Sequence, residues 1–199
     1  MIDVVIVDCG GANLASVRFA FARLGIDAAI SDRPERVGRA SHVILPGVGA
    51  APEAMRRLRR SGLAELLPNL RQPVLGICLG LQLLASSSAE GDTECLGIFP
   101  GRAERMTPGR GCSVPHMGWN RLATTREVPL LAGLTASDYA YFVHSYALAP
   151  GLDTVATTEY GVPFASVVSR GNFHGTQFHP ERSGTAGARL LRNFVALTS

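Results

Sequence analysis

The 199-residue sequence predicts an α/β domain: an open, mixed, mostly parallel sheet flanked by helices, with a strand-rich C-terminal half. Three observations carry this. Short β-branched apolar runs alternate with amphipathic helical stretches as far as residue 87. Each run ends in a glycine- or proline-bearing turn. Beyond Ser86-Ser87-Ser88 the long helical patterns stop, and short apolar segments among glycines and prolines take over. No internal repeat, linker or low-complexity tract interrupts the chain, so residues 1–199 are expected to form a single domain.

In order, Ile2–Val7 is almost wholly apolar, as a central strand covered on both faces requires. Gly10-Gly11-Ala12 ends it, and Asn13 is placed to cap a helix running to about Leu24, with Gly25 at its C-cap. Asp27–Ile30 predicts a second strand, Pro34–Arg39 a short helix and His42–Leu45 a third strand. Pro46-Gly47-Val48-Gly49 closes that strand, and a helix starts near Pro52. Val74–Ile77 is a fourth strand, with a helix beginning at Leu81–Ala85. In the second half, strands are expected at Ala103–Met106, Tyr141–Ala147, Thr154–Thr158, Phe164–Ser169 and Phe173–Phe178. The last two are joined by an Arg170-Gly171 hairpin turn. Ser86–Glu94 reads as a flexible loop, and Ala186–Leu197 as a closing helix.

Composition narrows the function classes. All 19 basic residues are arginine, which excludes a lysine Schiff base or a Walker lysine, and the net charge of +3 gives no case for nucleic acid. The cluster Arg56, Arg57, Arg59 and Arg60 reads as a solvated or partner-facing helix surface. Cys9, Cys78, Cys95 and Cys112 form no Cys-x-x-Cys pair, so no zinc or thioredoxin-like site is expected. MIDVVIVD lacks signal-peptide features, and no apolar run reaches membrane-spanning length. A cytoplasmic protein without a membrane association is the resulting expectation.

Chemistry concentrates at Gly76-Ile77-Cys78-Leu79-Gly80, a cysteine between two glycines at a strand-to-helix junction. That is the pattern of a nucleophile elbow, a sharp turn exposing one side chain. A buried apolar cysteine is the competing reading. A thiolate nucleophile needs a base and an orienting acceptor. His179-Pro180-Glu181 offers both, because Pro180 favours an extended backbone in which residues two apart project to one side. His174 should then face away from His179, and His42 reads as structural. The backbone N–H of Leu79 and the Gly47–Val48 peptide are candidate oxyanion donors.

GICLGLQ at Gly76–Gln82 together with His179-Pro180-Glu181 resembles the class I (triad) glutamine amidotransferases. LPGVGA at Leu45–Ala50, VPHMGWN at Val114–Asn120, YFVHSY at Tyr141–Tyr146 and HGTQFHPERSG at His174–Gly184 are similar, within that family, to the glutaminase subunits of imidazole glycerol phosphate synthases. The resemblance spans Asp8 to the C-terminal helix. It implies Cys78 as nucleophile, His179 as general base and acid, and Glu181 as orienter. It implies Val48, Gly49, Leu79, Gln82, Ser145 and Tyr146 as residues that hold L-glutamine, with Val48 and Leu79 as oxyanion donors. Asn13, Trp119 and Tyr141 match interface positions toward a (β/α)₈ cyclase subunit, the partner in a heterodimer that makes imidazole glycerol phosphate and aminoimidazole-carboxamide ribonucleotide in histidine biosynthesis. His144 is expected to be structural, beside the glutamine site. No metal or organic cofactor is implied.

Three positions depart from the family pattern: Cys9 for an aromatic, Ala12 for a glycine, and Arg182 for the lysine after His-Pro-Glu. A glutaminase of pyridoxal phosphate or anthranilate synthesis, a thiol peptidase and a non-catalytic docking subunit are the alternatives. Glutamine turnover is expected to rise when the liganded cyclase binds, through a switch in the Pro46–Gly49 loop.

Overall fold

The computed structural model describes residues 2–10, 13–47, 49–109 and 111–198. The alternating first half forms β1 (Val4–Val7), α1 (Leu14–Ala22), β2 (Ala29–Ser31), α2 (Pro34–Gly38), β3 (His42–Leu45), α3 (Ala51–Arg60), α4 (Leu63–Leu66), β4 (Val74–Ile77) and α5 (Leu79–Leu84). The second half contributes β5 (Ala85–Ser88), β6 (Thr93–Glu94), β7 (Phe99–Arg105), β8 (His116–Arg121), β9 (Ala123–Thr124), β10 (Tyr139–His144), β11 (Tyr146–Leu148), β12 (Thr154–Tyr160), β13 (Val162–Arg170), β14 (Phe173–Thr176) and α6 (Gly184–Val195).

The central sheet runs β2-β1-β3-β4-β14-β13-β12-β9. It is parallel from β2 through β14 and antiparallel beyond, where β13 and β14 form a hairpin whose turn is Gly171-Asn172, one residue later than expected, because Arg170 still pairs with Phe173. The apolar runs are continuous because both faces are covered. Val5, Val7, Val43, Leu45 and Val74 pack with α3 and α4, whereas Val4, Ile6, Ile44, Leu75 and Ile77 pack with α1 and α6. Two smaller sheets, β11-β7-β5-β6 and the antiparallel pair β10-β8, lie beside it.

Several expectations need correction. Ser86–Glu94 is not a loop: β5 pairs in parallel with β7 and antiparallel with β6, with a 3₁₀ turn at Glu90–Asp92. Its small polar residues look loop-like, but ladder partners supplied from later in the chain turn them into a strand. His116–Arg121 forms a strand that the residue pattern did not announce. Asn13 precedes α1 but its side chain makes no capping hydrogen bond; it bonds elsewhere, as described below. The helix after Cys78 lasts only six residues, and α6 begins and ends two residues earlier than expected. No helix among the described residues is long and apolar enough to cross a membrane.

Candidate active site

β4 delivers Cys78 to the C-terminal edge of the sheet, where ligands bind in open α/β folds. Cys78 has φ +52° and ψ −109°, a conformation that a residue with a Cβ rarely adopts and that marks a strained elbow. Its N–H donates to Thr176 O at 2.7 Å, and its own carbonyl accepts from Gln82 N at 3.2 Å. Neighbouring glycines make the turn possible. A Cβ on Gly80 would strike Leu45 O, and one on Gly76 would strike Gly80. A Cβ on Gly47 would collide with Leu79 N and Gly80 N, the amides that follow Cys78. Gly47 therefore lies directly against the elbow. Val48, expected to supply an oxyanion donor, lies outside the described residues; Gly49 has φ +103° and lines the same cavity as Leu79.

His179 and Glu181 meet this elbow from the chain beyond β14. His179 Nδ1 donates to Glu181 Oε1 at 2.8 Å, which leaves Nε2 for the cavity that Cys78 also lines. The pairing has a different backbone cause from the one expected. Pro180–Arg182 is a 3₁₀ turn, so the turn and not an extended strand brings the carboxylate to the ring. The turn is clamped: His179 N donates to Tyr141 O, Ser183 Oγ donates to His179 O, and Tyr141 N donates to Ser183 Oγ. Asn13 completes the arrangement, its Nδ2 donating to Glu181 Oε1 at 2.7 Å. Glu181 Oε2 is buried and has no hydrogen-bond partner among the described residues.

The electrostatics separate the histidines. Burial pulls His179 down, but the neighbouring Cys78 sulfur and Glu181 carboxylate outweigh it and raise its pKa to about 10. Burial without a carboxylate pushes His116 and His174 down to about 4 and His144 to about 3. His174 bonds Ser169 Oγ and lies away from His179, and His42 bridges Ser41 Oγ and Leu197 O, both as expected of structural groups. Burial raises the Cys9 and Cys95 thiols to about 11, which leaves them poor nucleophiles.

These groups surround a cavity of about 510 Å³ lined by Asn13, Gly47, Gly49, Cys78, Leu79, Gln82, Glu90, Val143, His144, Ser145, Tyr146, His179 and Arg182, together with Pro115. The described glutamine-contact candidates Gly49, Leu79, Gln82, Ser145 and Tyr146 are thus brought together. Trp119 and Tyr141 lie outside the cavity on β8 and β10, paired across the strands with ring centroids 5.9 Å apart. Trp119 is 55 % exposed, Met117 61 % and Tyr139 45 %, so this hairpin presents an apolar face to solvent. Arg182 stacks its guanidinium over Tyr141 at 4.7 Å, joining that face to the triad turn.

Sequence reasoning missed three residues here. Glu90 is a cavity carboxylate that also accepts from Ala51 N. Ser183 clamps the histidine turn. Gln177, fully buried, donates from Nε2 to Cys78 Sγ at 3.5 Å. Gln177 and Ser183 stand within the HGTQFHPERSG stretch, and their position beside the His-Pro-Glu motif was the available signal.

A cysteine on a strained elbow, a histidine raised by a buried carboxylate, and a glycine loop against the elbow amides form a site for acyl transfer from an amide through a thioester. Residues 5–197 match the family Glutamine amidotransferase class-I, and the chain belongs to that family. Within it, the chain is 55 % identical over 198 residues to imidazole glycerol phosphate synthase subunit HisH of Xanthomonas euvesicatoria pv. vesicatoria (strain 85-10), covering 100 % of this chain and 99 % of the relative. It is 51 % identical to the protein of the same name from Xylella fastidiosa (strain Temecula1 / ATCC 700964), over 99 % of this chain and 98 % of that one. A crystal structure of a glutamine amidotransferase superposes with TM-score 0.75 at 23 % identity, covering 97 % of each chain. A glutamine amidotransferase from Thermotoga maritima does so with TM-score 0.64 at 19 % identity, over 98 % of this chain and 82 % of that one. Both share the fold.

Proposed function

We propose that the 199 residues act as one glutaminase domain, hydrolysing L-glutamine to glutamate and delivering the ammonia to a cyclase partner in histidine biosynthesis. The Cys78–His179–Glu181 arrangement carries this reading, supported by the family membership and by relatives named as imidazole glycerol phosphate synthase subunits. His179, having taken the thiol proton before the attack, stands as an imidazolium while the Sγ thiolate adds to the side-chain amide carbon, and the Leu79 N–H faces the developing oxyanion. The protonated imidazole then gives its proton to the leaving nitrogen, and ammonia departs from a γ-glutamyl thioester. His179 next deprotonates a water that cleaves the thioester and frees the sulfur. Glu181 holds the tautomer with Nδ1 protonated and stabilises the imidazolium.

Cavity contacts divide the substrate. Glu90 is placed for the α-ammonium group, while Gly49, Gln82, Ser145 and Tyr146 supply backbone and amide groups for the remainder. The partner is a (β/α)₈ cyclase, and the exposed Met117, Trp119 and Tyr139 face with Tyr141 is its docking surface. Asn13 links the cavity to the carboxylate that orients His179, because it lines the cavity and its amide donates to Glu181.

Cys78→Ala tests the reading in the assembled complex. Glutamine-dependent product formation should fall by at least about 10⁴-fold while synthesis from added ammonia persists. Loss of both activities would make Cys78 a structural residue, and retention of both would remove it from the reaction.

A further inference from the structure

The structure assigns Gln177 as a positioning residue that holds the Cys78 sulfur in its reactive, anionic form through a side-chain N–H, with the Tyr146 carbonyl fixing which end of the amide faces the sulfur. This deepens the glutaminase reading and rests on Cys78 being the nucleophile.

A chain of hydrogen bonds whose donors and acceptors are forced carries the inference. Tyr146 O is a carbonyl and only accepts. It receives Gln82 Nε2 at 2.9 Å and His144 Nδ1 at 3.0 Å. The Gln82 amide is therefore fixed with its NH₂ toward Tyr146 O. The same nitrogen lies 3.2 Å from Gln177 Oε1 and donates to it. Turning the Gln177 amide over would set two NH₂ groups against each other, so its Oε1 stays with Gln82 and its Nε2 points at Sγ. The backbone is fixed as well, because Gln177 N donates to Ser166 O at 2.9 Å.

Gln177 and Gln82 are both buried, and a buried amide that has a partner only at the sulfur for one of its N–H groups favours the charged state of that sulfur. In the thiol state Sγ donates to Val143 O at 3.7 Å. On ionisation that contact loses its proton, whereas the Gln177 contact strengthens. The charged and titratable groups facing the same space are His179 and Arg182 from the triad turn, His144 from β10, Tyr146 from β11 and Glu90 from the 3₁₀ turn after β5. His179 supplies the counter-charge. Gln177 adds a neutral donor from the end of β14, before that turn, which fixes where the sulfur sits as well as its charge.

The test reads the sulfur directly and does not depend on glutamine turnover. In the full-length protein, alkylation of Cys78 by iodoacetamide is followed across pH by the mass of its peptide. Gln177→Met, which keeps the shape and removes the donor, should move the alkylation midpoint up, and Gln177→Glu should move it further up, since a carboxylate then faces the sulfur. Turnover should fall roughly tenfold or more in kcat, with KM changed less. In the unsubstituted protein, the Gln177 side-chain amide resonances should shift with pH at the same midpoint and should stop doing so in Cys78→Ala, a readout that requires neither Gln177 variant to fold. Unmoved midpoints in both folded variants, or amide resonances indifferent to the ionisation of Cys78, would overturn the assignment even if kcat fell. Retained glutaminase activity in Cys78→Ala would instead overturn the underlying reading of the nucleophile.

Discussion

Two groups of buried imidazoles stand within one layer of strands and behave in opposite ways. His179 has a buried carboxylate on Nδ1 and the Cys78 sulfur as a neighbour in the same cavity, and its pKa is raised to about 10. His116 and His144, on the buried face of the β8–β10 hairpin, have only neutral partners. Their order is fixed by the Tyr146 carbonyl: His144 Nδ1 donates to it, so His144 Nε2 accepts from His116 Nδ1 at 3.1 Å, and His116 Nε2 accepts from Asn120 Nδ2 at 3.4 Å. Both rings are neutral, with pKa values pushed by burial to about 4 and about 3. Burial is common to all three. A charged partner is what separates a proton-transfer group from a structural wedge. The neutral pair also benefits the triad, because a cation at His144 would repel His179 in its imidazolium form.

Removing the charged partner should erase the distinction. Glu181→Gln keeps the shape of the side chain but removes its negative charge, so His179 should drop toward the range of its buried neighbours. Glutamine turnover should fall by about 10³- to 10⁴-fold, with the imidazole C–H resonances of His179 titrating at much lower pH. An unchanged His179 titration would mean that the sulfur alone sustains it.

The two groups should also set opposite limbs of the stability profile. For His116, His144 and His174 the folded pKa lies below the unfolded value of 6.5. The unfolded chain then binds more protons as pH falls, so their contribution is present above pH 6.5 and is lost on acidification toward pH 4. Denaturant titrations should show a loss of about 5–6 kcal/mol between pH 7 and pH 5 if all three act. His179 has its folded pKa raised. Its contribution is complete below pH 6.5 and is lost as pH rises toward 10, a limb that should flatten in Glu181→Gln. A single profile with no separable alkaline limb would contradict the assignment of a charged His179.

Much of this was legible from residue patterns, and the exceptions share a cause. β3 and β4 fall where their β-branched runs predict, because strands covered on both faces need an uninterrupted apolar sequence. The strained turn at Cys78 and the pairing of His179 with Glu181 were legible because their signals are local: two glycines around a cysteine, and two side chains linked by one proline. What escaped depends on partners distant in sequence. Asn13 looks like a helix cap, but its amide bonds a carboxylate 168 residues away. Ser86–Ser88 looks like a loop until β7 pairs with it. β8, HMGWNR, has none of the β-branched residues that announce a strand and is held by β10 residue for residue from Arg121 to His116. Gln177 and Glu90 carry no local signature, since what they do is set by the cavity they enter.

The remaining prediction concerns the other face of the same hairpin. On β8 and β10, alternation places His116 and Phe142 inward and Met117, Trp119 and Tyr139 outward. Inward residues answer to the stability of the fold, and outward ones, on the proposed docking surface, to the partner. Trp119→Ala should therefore leave the unfolding free energy within about 0.5 kcal/mol, as expected for a half-exposed side chain whose main neighbour is the rim of Tyr141. It should weaken association with the cyclase by about 2 kcal/mol, roughly 30-fold in Kd, as for an aromatic anchor. Titration calorimetry of the isolated protein with the cyclase, alongside denaturant unfolding, measures both. A large stability loss with unchanged affinity would place Trp119 in the core of the hairpin and move the docking surface elsewhere. The effect on glutamine turnover should be smaller than that of Glu181→Gln, because Trp119 reaches the triad only through Tyr141, whose carbonyl accepts from His179 N and whose ring lies under Arg182.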